Sequence, residues 1–219
     1  MPTDSTKWNI PFLDEVETIS LTDPLSYVLG SQIENDPFVF SYSDAIKLAG
    51  HSCPAVSGAY KITAIALKAL YGENTPVRGD IRVLIKGAPD QLAYGPQAQV
   101  IMLITGASPE TGFKGLGGKY SRHNKLIFDK DDFQFSTFIF LRDDTGKAVK
   151  IVYNPSVLGE DPRMSELTPK VIQGVATTDE KTLFTKLWQG KIKKILLESD
   201  EHPGLFEIEE LTDFAFPEL

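Results

Sequence analysis

Residues 54–71, PAVSGAYKITAIALKALY, followed by Gly72, form the stretch that decides the fold. Proline is favoured at the first helical position, where its missing N–H is not needed, and glycine is favoured just beyond the last turn. Apolar residues recur at three- or four-residue steps from Val56 to Tyr71, which predicts a helix. Because this helix is apolar over most of its circumference and rich in small residues, we expect it to be buried, with other elements approaching closely.

The rest of the chain places strands after this helix and further helices at both ends. Alternating apolar residues predict strands over 80–86, 97–105, 126–128, 133–142 and 148–153, with an edge strand over 205–211. Helical patterns cover 24–29, 44–48 after Ser43 as N-cap, 164–176, and 179–199 after Thr178 as N-cap. Because the strands and helices are segregated along the chain, we expect an α+β fold with a mixed, mainly antiparallel sheet packed against helices. Its length suits a single domain over 1–219.

Composition argues against several classes of protein. The formal net charge of −8 disfavours nucleic-acid binding, which needs clustered lysine and arginine. No apolar run approaches the roughly 18 residues of a membrane span, so we expect no membrane contact. The polar N-terminus shows no signal peptide, and the single cysteine cannot form an internal disulfide. We therefore expect a cytoplasmic protein.

The turn that leads into helix 54–71 carries the strongest chemical signal. It reads Gly50-His51-Ser52-Cys53-Pro54. Cys53 lies at the N-terminus of the helix, where unpaired N–H groups and a partial positive charge stabilise a thiolate. A His-x-Cys turn can direct an imidazole nitrogen and a sulfur to one point, which is the donor pair that zinc prefers. The turn therefore predicts a transition-metal site.

Two other interpretations of this turn stay open. A free cysteine is most often a small buried hydrophobe. Alternatively, Cys53 and His51 would act together as a nucleophile and its base in a metal-free cysteine enzyme, although no third residue that would orient the histidine is evident in the sequence.

Gly-His-x-Cys-Pro followed by a small-residue helix resembles the FmdE domain family, which is named after a component of formylmethanofuran dehydrogenase. The family pattern is a His-Gly-His-x-Cys-Pro-Gly box, then a block with Thr-Gly-Cys, Gly-Lys and an Asn-Leu-Ile-like strand. Here the second block appears as Thr105-Gly106-Ala107, Gly118-Lys119 and residues 124–128. The resemblance covers about residues 40–155 and leaves residues 156–219 as a C-terminal helical extension.

The resemblance implies an α+β fold, a homodimer, and a metal, zinc, bound through His51 and Cys53. An open position on the metal would allow chemistry on a small molecule or cofactor. A non-enzymatic accessory component of a redox enzyme is a further alternative. The chain departs from the family pattern at three positions: Ala49 replaces the first His, Ala55 the Gly after Pro, and Ala107 the Cys of the second block.

A metal site needs ligands beyond His51 and Cys53. We expect His123 to be the third, because it lies beside the second block, where the family cysteine is missing. Lys114 and Lys119, in the glycine-rich segment 112–121, are predicted to bind an anionic substrate, with a surface loop as the alternative. This segment is not a phosphate-binding P-loop, because Tyr120 follows the Gly-Lys pair where Ser or Thr is required.

Overall fold

The computed structural model describes residues 6–217. Its helices are α1 (Pro24–Val28), α2 (Tyr42–Ala49), α3 (Pro54–Tyr71), α4 (Tyr94–Thr105), α5 (Met164–Ile172) and α6 (Thr178–Leu196). Its strands are β1 (Ile19–Leu21), β2 (Phe38–Phe40), β3 (Ile81–Ile85), β4 (Leu126–Phe128), β5 (Thr137–Arg142), β6 (Ala148–Tyr153) and β7 (Phe206–Leu211). Short 3-10 helices occur at Leu13–Glu15, Pro155–Leu158 and Ser199–Glu201.

Five strands form the main sheet, in the order β4-β3-β5-β6-β7. β4 runs parallel to β3, and the other neighbouring pairs are antiparallel. β1 and β2 pair separately as a two-stranded antiparallel sheet. The mixed, mainly antiparallel sheet and its helices confirm the α+β class. β7 lies at the edge of the sheet, as its sequence pattern predicted.

Helix α3 is the centre of the hydrophobic core. It begins after Cys53, ends before Gly72, and packs against α2, α4, α6 and the sheet strands β5 and β6. Gly58 shows why small residues matter, because an added Cβ would lie 2.4 Å from Cε1 of Tyr153 on β6. The predicted burial of this helix is confirmed, because buried residues between Val56 and Tyr71 occupy most faces of α3 and belong to the core.

The opposite face of the sheet carries a second, smaller apolar cluster. Leu84, Ile127 and Ile139 form its centre, and Phe214 and Phe216 from the C-terminal segment pack against them. The C-terminal segment therefore covers part of the sheet through its aromatic residues, although its sequence is rich in acidic residues.

One predicted strand is wrong. Residues 97–105 belong to helix α4, whose buried residues include Gln97, Ile101 and Ile104 and so follow a helical spacing. Alternate residues of this segment are apolar, as in a strand, because α4 is apolar on several faces and its apolar residues form no single helical stripe. Gly106, a left-handed C-cap with φ of 74°, was the local signal that favoured a helix.

Other boundaries differ by up to four residues: the strand predicted over 133–142 begins at Thr137, and the helix predicted over 164–176 ends at Ile172. Ser41 and Thr177, rather than Ser43 and Thr178, are the N-caps of α2 and α6, and both form capping boxes. The predicted loop over 143–147 joins β5 and β6, with Gly146 at positive φ. Across residues 6–217, none of the helices combines the length and apolar composition needed to cross a membrane.

Candidate functional site

The turn between α2 and α3 is fixed by backbone preferences at both ends. Gly50 ends α2 with a φ of 76°, and its N–H donates to the carbonyl of Ile46 at 2.8 Å. Pro54 begins α3. Only His51, Ser52 and Cys53 lie between these two residues, so the two predicted ligands are confined to a short turn between helices.

His51 has an orientation suited to a metal ligand. Its side chain is exposed, and Nδ1 lies 3.0 Å from the carbonyl oxygen of Ala49. A carbonyl oxygen can only accept, so Nδ1 donates the hydrogen in this contact. In the neutral imidazole, Nε2 then keeps its lone pair for a metal, and a backbone carbonyl bonded to the other nitrogen is the usual arrangement of metal-binding histidine.

Cys53 is the N-cap of α3 and is half-buried against the core. Its side chain makes no capping hydrogen bond, and the first backbone bond of the helix runs from the N–H of Ser57 to the carbonyl of Cys53 at 2.9 Å. The N–H groups of Ala55 and Val56 therefore have no partner within the helix, as is general for a first helical turn. Cys53 therefore lies beside the unpaired N–H groups at the positive end of α3.

Two buried tyrosines lie close to the cysteine. Burial raises the pKa of Tyr42 and of Tyr153 above the ordinary value, and the nearby Cys53 adds to both shifts. Both phenols therefore stay protonated at neutral pH. The hydroxyl of Tyr153 donates to the carbonyl of Pro54 at 2.8 Å, and that of Tyr42 is bonded to the hydroxyl of Ser52 at 2.8 Å.

A third contact reaches the turn from the C-terminal helices. Nε1 of Trp188, on α6, donates to the carbonyl of Ser52 at 2.8 Å. The turn is thus held by α2, α6 and β6 at once. Sequence reasoning did not identify Tyr42, Tyr153 or Trp188, because each is brought to the turn by tertiary packing and no local pattern marks it.

A cavity of about 290 Å³ opens beside the first turn of α3. Most of its walls are apolar. The polar exceptions are Gln97, which is only 3% exposed, and Ser136, which is also buried. The residues that connect the cavity to the cysteine turn are Pro54, Ala55 and Tyr153. This cavity is large enough for a small organic molecule or part of one.

The described residues place two of the three predicted ligands together. His51 and Cys53 share the turn, whereas His123 lies in the loop between α4 and β4, where its N–H donates to the carbonyl of Phe113 at 3.1 Å. Within residues 6–217, no group of three or more His, Cys, Asp or Glu side chains is arranged to hold a metal ion. The turn of one chain thus brings an imidazole and a thiol, two donor types that zinc accepts, within three residues of each other.

The glycine-rich segment forms a tight turn. Leu116 and Lys119 exchange backbone hydrogen bonds of 2.8 and 3.0 Å across Gly117 and Gly118. Both glycines have positive φ, as a type I′ turn requires. Lys119, at the end of this turn, lines a cavity of about 300 Å³. Lys114 is exposed and is not one of the residues that line this cavity.

The fold and the turn together define an α+β protein with a His-x-Cys motif at the N-terminus of a buried helix. The family model described as FmdE, molybdenum formylmethanofuran dehydrogenase operon, matches residues 48–203. The chain therefore belongs to the FmdE family, as the box at residues 50–54 predicted. The matched region includes α5 and α6, which lie beyond the residues that carried the sequence resemblance.

A solved structure of a tungsten formylmethanofuran dehydrogenase FmdE-like protein from Syntrophus aciditrophicus is also similar. The two chains are 12% identical, the alignment covers 78% of this chain and 72% of that one, and the TM-score is 0.39. No protein of curated function matches the chain.

Proposed function

We propose that this FmdE-family protein binds a transition metal, zinc, through Nε2 of His51 and the sulfur of Cys53. The observation that carries the proposal is the contact between Nδ1 of His51 and the carbonyl of Ala49, because it leaves Nε2 as the free donor. The position of Cys53 at the N-terminus of α3 supports the second ligand, because the thiolate is the form that binds metal.

Two ligands from one chain leave room for others. His123 of a second copy, water or a bound small molecule would complete the coordination, and the first of these fits the homodimer that the family resemblance implies. A zinc ion with an open position polarises a carbonyl or lowers the pKa of bound water. The cavity beside Ala55 and Tyr153 would hold the small molecule, with the amide of Gln97 and the hydroxyl of Ser136 available to orient it.

Elemental analysis tests the metal site. The protein is purified without a metal-affinity column, as wild type and as the variants His51→Ala, Cys53→Ala, His123→Ala and His202→Ala. We expect about one metal per chain in the wild type, and its loss in the His51 and Cys53 variants. His202→Ala is the control for loss of a histidine elsewhere. Loss of metal in His123→Ala would add that residue to the ligand set.

A metal-free cysteine enzyme is the second candidate. The observation that favours it is the location of Cys53, two residues from His51 and next to Pro54 and Ala55, which line the cavity beside the first turn of α3. Rapid alkylation of Cys53 at neutral pH in metal-free protein, slowed by His51→Ala, would support this candidate. Absence of metal from the wild type, even after reconstitution, would remove the first candidate.

Membership of the FmdE family also supports a role as an accessory component of a larger redox enzyme. Stable co-purification with such an enzyme from the native cells is the result expected of an accessory component. Light scattering on the isolated protein tests the proposed homodimer separately.

A further inference from the structure

A second cavity of the molecule, of about 300 Å³, is lined by an unusual number of cationic side chains. Arg78, Lys119, Arg122 and Lys125 all contribute to its walls, together with a single acidic residue, Asp80. The chain as a whole carries a net charge of −8, so four basic residues around one cavity run against the general charge of the protein. Such a concentration of one sign of charge attracts ligands of the other sign.

Part of this positive charge is neutralised within the protein. Asp23, which is 3% exposed, accepts from Arg122 at 2.7 Å and from Arg78 at 3.0 Å. Asp143 pairs with Lys125 at 2.6 Å and with Arg82, also at 2.6 Å. Each of these carboxylates is therefore shared between two cations, and a positive charge remains in each group.

The other two charged residues that line the cavity, Lys119 and Asp80, carry opposite charges and leave the surplus of positive charge unchanged. Lys119 has no carboxylate within ion-pair distance in the described part of the chain, and Asp80 is the one acid left to oppose it. Partial desolvation raises the pKa of Asp80, so its surroundings disfavour the charged form. Arg82 does not line the cavity but is counted because it shares Asp143 with Lys125. The whole group then contains five cations and three carboxylates, a surplus of two positive charges.

Arg122 provides independent evidence, because the described part of the protein does not satisfy all of its hydrogen-bond donors. The residue is only 6% exposed, and its Nη1 has no hydrogen-bond partner among the described residues. Nη1 lies against Gly79, where an added Cβ would come within 1.4 Å of it. A buried guanidinium with an unpaired nitrogen costs free energy, and a nearby anion reduces that cost by electrostatic attraction.

We infer that this cavity binds an oxyanion group, a phosphate or a carboxylate, of a small molecule. Lys119 provides the free positive charge at its rim, held there by the turn over residues 116–119. Arg78, Arg122 and Lys125 provide the positive field of its walls. The inference goes beyond the metal site, because none of the cavity-lining residues belongs to the turn at His51 and Cys53.

Lys119 and Lys114 make a matched pair for the test. Both are exposed lysines of the same segment, but only Lys119 lines the cavity. Binding of inorganic phosphate and, in a second series, of malonate is measured by calorimetry on protein stripped of metal with a chelator, so that a metal-bound anion does not contribute. Wild type, Lys119→Ala and Lys114→Ala are compared, with thermal melting as the check that each variant is folded.

We expect one of the two anions to bind the wild type, about tenfold weaker binding in Lys119→Ala, and a change of less than about twofold in Lys114→Ala. Binding of phosphate but not malonate identifies a phosphate site, and the reverse identifies a carboxylate site. Failure of both anions to bind folded wild type at millimolar concentrations overturns the inference. Equal weakening in both lysine variants also overturns it, because that result describes general attraction to a basic loop.

Discussion

The turn between α2 and α3 and the loop between α4 and β4 each carry a candidate site, but they are held in place by different interactions. The first consists of three residues between a glycine cap and a helix-starting proline, and its histidine is oriented by a carbonyl two residues away. The second spans residues 106–125, and its Arg122 is paired with Asp23, 99 residues distant in the sequence. The backbone of the turn is therefore set by local residues, to which Tyr153 and Trp188 add contacts from β6 and α6. The buried arginine of the loop, in contrast, depends on the completed fold for its partner.

This difference predicts that substitutions in the loop will affect stability more than substitutions in the turn. The largest effect is expected for Arg122→Met, because it leaves Asp23 buried with Arg78 as its only cation. We expect a loss of about 3 kcal/mol in the free energy of unfolding, the low end for breaking a buried ion pair. Urea denaturation measures it. Arg163→Met, which removes an exposed pair with Asp161, is the control and should leave the midpoint unchanged.

Two glycine-to-alanine changes compare the packing around Arg122 of the loop, which contacts Gly79, with the packing around the turn. Gly79→Ala places a Cβ on the guanidinium of Arg122 at a φ of 94°, so we expect a loss of about 2 kcal/mol. Gly50→Ala meets no atom within 4 Å and loses stability only through its φ of 76°, by about 1 kcal/mol. Denaturant midpoints measure both. Equal losses would mean that the surroundings of Arg122 are no more tightly packed than the turn.

A smaller effect on stability is expected for Gly58, on α3 behind the turn, where a steric clash and a gain in helix propensity oppose each other. In Gly58→Ala the new methyl group collides with the ring of Tyr153, which outweighs the gain in helix propensity, and we expect a net loss of about 1 kcal/mol. Gly190→Ala, on α6, meets nothing within 4 Å and should stabilise the protein by up to about 1 kcal/mol. A stabilising Gly58→Ala would show that Tyr153 does not approach α3 as described.

The smallest effect on the metal-free protein is expected for His51→Ala, because the side chain is exposed and makes one contact with its own turn. Its effect should appear only when zinc is added. Saturating metal, at about 100 times Kd, should stabilise the wild type by about 2.7 kcal/mol and leave the variant unchanged. Thermal melting with and without zinc measures this difference, and equal stabilisation of both proteins would exclude His51 as a ligand.

The sequence predicted the features that depend on nearby residues. The two ends of α3 were predicted from Pro54 and Gly72, and the end of α2 from Gly50. The family was predicted from the box at residues 50–54. The prediction of a strand over residues 97–105 was wrong, because α4 is buried on several faces and its apolar residues have no clear periodicity. Gly117 and Gly118 could have predicted the type I′ turn, since adjacent glycines favour it.

The surroundings of both sites were not predictable from local pattern. Tyr153 and Trp188 reach the cysteine turn from positions about 100 and 136 residues further along the chain, and Asp23 reaches Arg122 from the N-terminal part. Such contacts form only when the sheet and helices are assembled. The choice between Lys114 and Lys119 as a cavity-lining residue likewise required the structure.

X-ray absorption spectroscopy of the zinc-loaded protein tests the metal site at Cys53 and His51 most directly. We predict a sulfur neighbour at about 2.3 Å and an imidazole nitrogen at about 2.0 Å from the metal in the wild type. The sulfur should be absent in Cys53→Ala, and the nitrogen signal should be reduced in His51→Ala. A wild-type spectrum without sulfur, or a protein that takes up no zinc, would contradict the account.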